Sequence, residues 1–166
     1  MILIGIDPGK NGAIAVMDLI GCRMSVFDMP IIPVGSSKSR TEVDGRAIAD
    51  MVPEGEVICY IEDVWSLPHD GHVGAFNFGD KYGAVKGVMA ALDVPLFRIL
   101  PGTWKKKMGC PADKNAARRL AMKLFPAFVE DFKRVKDDGR AEAAMIALYG
   151  ALKGGNEIKQ PFVRWE

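Results

Sequence analysis

The 166-residue sequence is poor in cysteine and histidine, has almost no net charge, and contains no long uninterrupted apolar segment. Cys22, Cys59 and Cys110 are odd in number, far apart and without paired spacing, which excludes a disulfide framework and a cysteine-based zinc site and fits a reducing cytoplasm. No apolar run approaches the ~20 residues needed to cross a bilayer, and Met1 opens onto strand-like residues rather than a basic leader, so no membrane role is expected. The formal net charge of +1 excludes capture of a polyanion by bulk charge, so any nucleic-acid contact must come from local clustering. His69 and His72, flanking Asp70 in a Gly/Pro loop, read as ordinary loop residues rather than metal ligands. What is present is 49% hydrophobic content, enough for a sizeable core in one domain.

The opening stretch MILIGIDPGKNG organises the rest. Ile2, Leu3, Ile4 and Ile6 fit a mid-sheet strand buried on both faces, and Asp7 at its end belongs at the sheet's rim, where a cation or water can reach it. Pro8-Gly9 and Gly12 turn the chain into a second strand, Ala13 to Asp18, and Cys22 to Met29 reads as a third antiparallel strand closed by Pro30 and Pro33. Val34 to Arg40 reads as a mobile Gly/Ser-rich loop whose Lys38 and Arg40 suit a phosphate backbone, and helical spacing follows from Thr41 to Met51. Val57 to Ile61 is again almost continuously apolar and ends in Glu62 as the first strand ends in Asp7. A right-handed crossover would lay it parallel to the first strand and beside it, bringing both acids to one edge.

Ala75 to Leu92 has the pattern of a long helix with Gly83 and Gly87 spaced for close backbone approach, and Pro95 to Leu100 reads as a fifth strand. From Arg98 to Lys123 the chain carries a net charge of +7, with Lys105, Lys106, Lys107, Lys114 and Arg118 among its cations and Asp113 its one acid. This is the candidate phosphate surface. Trp104, beside the lysines, either adds an aromatic face or anchors the segment to the core. Asp113 is placed to cap a helix from Lys114 to Phe125. In the last helix Asp138 and Glu142 lie four apart on one face; Asp138 has a capping explanation, whereas Glu142 is carried inward and calls for a cation. Asp7, Glu62, Asp138 and Glu142 are expected to converge at one edge. Such hard oxygen ligands suit Mg²⁺ or Mn²⁺, two per site, acting on a phosphodiester.

GIDPGKNGAIAV, YIEDVW, FGDKYGAVKGV, PGTWKKKMGCPADK and KDDGRAEAAMIALYG, in that order, resemble the RuvC Holliday junction resolvases of the ribonuclease H-like superfamily, in the compact form encoded by phages. The resemblance implies an α/β fold, a five-stranded mixed sheet flanked by helices, as a nuclease domain over 1–155 with a tail over 156–166. It casts Asp7 as the first catalytic acid, Glu62 as the second, and Asp138 with Glu142 as the terminal pair. Lys105 and Lys114 would contact phosphates and Trp65 would stack on junction bases. The implied activity is that of a homodimer making paired nicks in a four-way DNA junction, leaving 5′-phosphate and 3′-hydroxyl ends. The bacterial enzymes end in two aspartates three apart; here the spacing is four and the last acid is glutamate, so Asp137 stands as an alternative to Asp138. Phe162 and Trp165 read as a docked or interface tail. A general branched-DNA or RNA–DNA hybrid nuclease and a non-cleaving junction-binding module are the alternatives, the latter disfavoured because a pure binder gains by losing acids beside phosphates. A two-lobed sugar-kinase or actin-like ATPase needs more chain and a second Gly-rich phosphate motif.

Overall fold

A computed structural model describes residues 1–35, 37–66, 71–159 and 161–165, with the backbone alone at 37–39. The sheet is built outward from β1 (Ile2–Asp7), which pairs antiparallel with β2 (Ala13–Asp18); β2 pairs in turn with β3 (Arg23–Asp28). On its other side β1 pairs parallel with β6 (Val57–Glu62), and β6 pairs parallel with β7 (Leu96–Ile99). These are the five strands expected from the sequence, in the expected orientations. A two-residue β8 (Val163–Arg164) adds a sixth, parallel to β3, giving the order β7-β6-β1-β2-β3-β8. The C-terminal segment is therefore docked: Phe162 is buried against Phe125 at a ring separation of 6.2 Å, and Trp165 donates its backbone N–H to Met24 O at 3.0 Å.

Between the sheet strands, the chain departs from the expected loop-then-helix. β4 (Ile31–Val34) and β5 (Ser37–Val43) form a separate antiparallel pair, and α1 is confined to Gly45–Met51. The helix starts late because Asp44 is its cap, accepting the Ala47 N–H on Oδ1 at 3.0 Å, while β-branched Thr41 and Val43 favour extended backbone. Pro33, expected to end a strand, sits inside β4, where the ladder has only one neighbour and an absent N–H is tolerated. The stretch after β7 forms another unanticipated element, α3 (Pro101–Met108), with proline at its first turn and Gly109 closing it at φ 61°.

Helices cover both faces. α1 and α2 (Gly71–Ala91) pack Ile48, Tyr82, Val85 and Met89 against Ile2, Ile4 and Ile6 of β1. On the opposite face α6 (Asp138–Lys153), supported by α4 (Lys114–Leu124) and the short α5 (Val129–Phe132), covers Leu3, Ala13 and Tyr60 with a run of alanines. A side chain at Gly5 would place its Cβ 2.2 Å from Ala143 O and 2.4 Å from Ala147 N, so strand and helix backbones lie in direct apposition. No described helix is long and apolar enough to cross a membrane.

Candidate active site

Strand alternation decides where the acids point. Ile6 and Ile61, paired across β1 and β6, belong to the core beneath α1 and α2. The next residue on each strand must face the other way, so Asp7 and Glu62 turn toward α6 at the carboxyl ends of neighbouring parallel strands. The close fit at Gly5 fixes the register of α6 on β1, and Gly139 continues it: a Cβ there would meet Asn11 O at 2.6 Å and Asp7 Oδ2 at 3.0 Å. With its first turn pressed onto the β1–β2 turn, α6 delivers Glu142 to the same rim. Arg140 secures the helix from outside, donating to Asp28 through Nε and Nη2, the latter at 2.8 Å.

Asp7, Glu62 and Glu142 each offer a carboxylate oxygen, and these oxygens all lie within 4.8 Å of one another. Burial, reinforced by the charges of Glu142, Glu62 and Asp138, raises the pKa of Asp7 well above the usual carboxylate range. Burial also raises Glu62, against the opposing hydrogen bond from Trp104. Two neighbouring residues of α3 serve this cluster. The Trp104 indole Nε1 donates to Glu62 Oε1 at 2.8 Å, and Lys105 Nζ donates to Glu142 Oε1 at 3.0 Å. Burial would lower the pKa of Lys105, but the charge and hydrogen bond of Glu142 outweigh it and the net shift is upward. The donor set fits a hard divalent cation such as Mg²⁺ or Mn²⁺: the ligands are all oxygen, and the crowding of negative charge that raises the pKa of Asp7 is what an added positive charge relieves.

Asp138 stands one helical turn away, paired with Lys114, close enough that its charge contributes to the upward shift of Asp7. The alternative left open by the sequence, Asp137, faces elsewhere. Its carboxylate is buried against Arg134, accepting from the guanidinium Nη2 at 2.8 Å and from the backbone N–H at 2.9 Å. Despite the cost of burial, those bonds lower its pKa.

The expected phosphate-binding cations divide into distinct groups. Lys105 and Lys114 are turned onto the acids. Lys106 and Lys107 are exposed beside a shallow groove with Gly102 and Thr103. Arg118 is buried, not presented to solvent: it donates to Phe132 O at 3.1 Å, Lys133 O at 2.8 Å and Asn115 Oδ1 at 2.6 Å, binding α4 to the turn after α5. Amphipathic spacing alone could not separate this inward arginine from its outward neighbour Arg119. Trp65 is 64% exposed, three residues beyond Glu62. Arg40 lines a cavity with Lys10, Asn77 and Lys81, whereas the Lys38 side chain, His69 and Asp70 lie outside the described residues. Lys10 also lines a second cavity that reaches Lys136 and Asp138, a position the sequence marked only by its place in the turn after Asp7.

The mixed sheet flanked by helices, with carboxylates at the ends of adjacent parallel strands and a further acid from the helix crossing the same face, is an α/β fold of the ribonuclease H-like kind. Within that class the fold is similar to that of RuvC. Thermus thermophilus RuvC in complex with a Holliday junction substrate superimposes with a TM-score of 0.62 at 18% identity, over 93% of this chain and 96% of that one. A second T. thermophilus RuvC structure gives 0.51 at 15% identity, over 95% and 99%. In sequence, the chain is 24% identical over 151 residues to the chloroplastic Holliday junction resolvase MOC1 of Chlamydomonas reinhardtii, a match covering 76% of this chain and 17% of that relative's length. No protein-family profile matches the chain.

Proposed function

We propose that this protein is a metal-dependent endonuclease that resolves four-way DNA junctions, or closely related branched DNA, by paired phosphodiester nicks leaving 5′-phosphate and 3′-hydroxyl ends. The observation that carries the reading is the convergence of Asp7, Glu62 and Glu142 within 4.8 Å at the sheet rim of a RuvC-like fold. Asp7, Glu62 and Glu142, with Asp138 beside them, would hold Mg²⁺ or Mn²⁺, two per site. When bound, such ions supply positive charge to the phosphate oxygens and lower the pKa of an attacking water. Lys105 and Lys114, which pair with Glu142 and Asp138, are the nearest cations for a scissile phosphate. Lys106 and Lys107 extend the phosphate surface to one side; Lys10 and Arg40 extend it to the other, around a cavity of about 230 Å³, whose Lys81 is buried and donates to Thr41 O. Trp65 offers an aromatic face to an unpaired base. A four-way junction has two-fold symmetry, so paired nicks call for two protomers.

The direct test is incubation with four-way, three-way, flap and linear DNA, and with an RNA–DNA hybrid, in Mg²⁺ or Mn²⁺, mapping nicks on opposing strands. Symmetric, ligatable nicks confined to branched DNA are expected. Equal cleavage of the hybrid would instead make the chain a general nuclease, and tight junction binding without cleavage in either ion would make it a binding module.

A further inference from the structure

We infer that Trp104 is a positioning residue for the metal site, fixing the carboxylate of Glu62 through its indole N–H. Trp104 is completely buried, and an indole nitrogen is a donor only, so burial obliges it to find an acceptor. The acceptor it has is one oxygen of a cluster acid, Glu62 Oε1 at 2.8 Å. That bond restricts rotation of the carboxylate and leaves its remaining lone pairs available to a cation. The adjacent residue, Lys105, holds Glu142 at 3.0 Å, so two consecutive residues of one helix arrange acids that come from β6 and α6. The two partners differ in kind. The Lys105 ammonium competes with an incoming cation for the same negative charge, whereas the neutral indole donor is compatible with a metal bound to the same carboxylate. Bulk alone would be satisfied by phenylalanine; the placement of the nitrogen opposite Glu62 is what marks an orienting role.

The inference rests on the metal-binding reading and is tested so that the two fail separately. Mn²⁺ binding to the DNA-free protein is measured by electron paramagnetic resonance and calorimetry for the wild type, Trp104→Phe, Glu62→Gln and the double variant, with thermal unfolding alongside. Trp104→Phe should weaken Mn²⁺ binding about 10- to 100-fold, the usual range for losing an outer-shell partner. The double variant should bind no more weakly than Glu62→Gln, because the indole acts through that carboxylate. Wild-type affinity in Trp104→Phe, or losses that add in the double variant, would overturn the positioning role. Unchanged Mn²⁺ affinity in Glu62→Gln would overturn the metal reading, and the role of Trp104 would fall with it. If Trp104→Phe does not fold, the indole ¹H–¹⁵N resonance of Trp104 in the wild type supplies the answer: it should shift on Mg²⁺ titration and in Glu62→Gln, and an immobile resonance in both would reject the inference.

Discussion

Asp7 is held where its ionised form is least welcome, half-buried and surrounded by the charges of Glu142, Glu62 and Asp138. Its folded pKa is raised, so between the unfolded aspartate value of ~3.9 and that raised value the native state binds more protons than the unfolded one. Stability of the metal-free protein must therefore fall as pH rises through that window, and Glu62, also raised, contributes with the same sign. Melting curves without metal should decline from mildly acidic toward neutral pH, and Mg²⁺ should recover the loss. Asp7→Asn should raise the metal-free melting temperature at neutral pH, by roughly 2–4 °C for each kcal/mol of repulsion removed, while abolishing cleavage and preserving junction binding. Full cleavage by this variant in Mg²⁺ would remove the mechanism. Asp137 and Asp138 separate by the same logic of partners. Asp137→Asn strips a buried hydrogen-bonded charge from Arg134 and should cost about 1–3 kcal/mol of stability while Mn²⁺ binding persists. Asp138→Asn breaks only a largely exposed pair with Lys114 and should barely change stability while lowering cleavage at least about tenfold. Calorimetric unfolding beside Mn²⁺ titration decides; loss of Mn²⁺ binding in Asp137→Asn at an unchanged melting temperature would reverse the assignment.

Among the elements, α3 joins metal site and phosphate surface, because its inward residues, Trp104 and Lys105, reach the acids while Lys106 and Lys107 remain exposed on the same two turns. Replacing Lys106 and Lys107 with alanine should therefore weaken junction binding and reduce the slope of log affinity against log salt by about 1–2 units, with Mn²⁺ affinity unaltered. An unchanged slope would move the phosphate surface elsewhere, Lys10 and Arg40 first. The helix itself escaped sequence reading because three consecutive lysines obscure its apolar period, although proline at its start and Gly109 at its end were visible signals. β1 and β6 were legible for the opposite reason. Burial on both faces of a parallel strand leaves an unmistakable apolar run, and an acid terminating each run stands out against it. The pairing of β4 with β5, the inward turn of Arg118 and the bond from Trp104 to Glu62 depend on contacts between separated segments, which local periodicity does not encode.

For the whole molecule, the outer face of α2 bears on how many copies act together. Gly79, Gly83 and Gly87 recur every four residues on it, and a Cβ at any of the three would meet nothing within 4 Å. Each glycine inside a helix costs about 1 kcal/mol relative to alanine, a cost without compensation in an isolated protomer. Val73 and Phe76, 75% and 69% exposed, add apolar surface near the start of the same helix. A second copy packing its own α2 against this stripe would use the missing side chains for close backbone approach and would set two acid clusters in a two-fold relation, as a symmetric junction requires. Under that arrangement Gly83→Glu leaves the protomer's core untouched but places two like charges at the helix crossing. Sedimentation equilibrium at micromolar concentration should show a dimer for the wild type and a monomer for Gly83→Glu, with Mn²⁺ affinity retained in both. On a four-way junction the variant should make single, unpaired nicks. A wild-type monomer at that concentration, or paired nicking by monomeric Gly83→Glu, would rule out α2 as the contact through which two active sites are coupled.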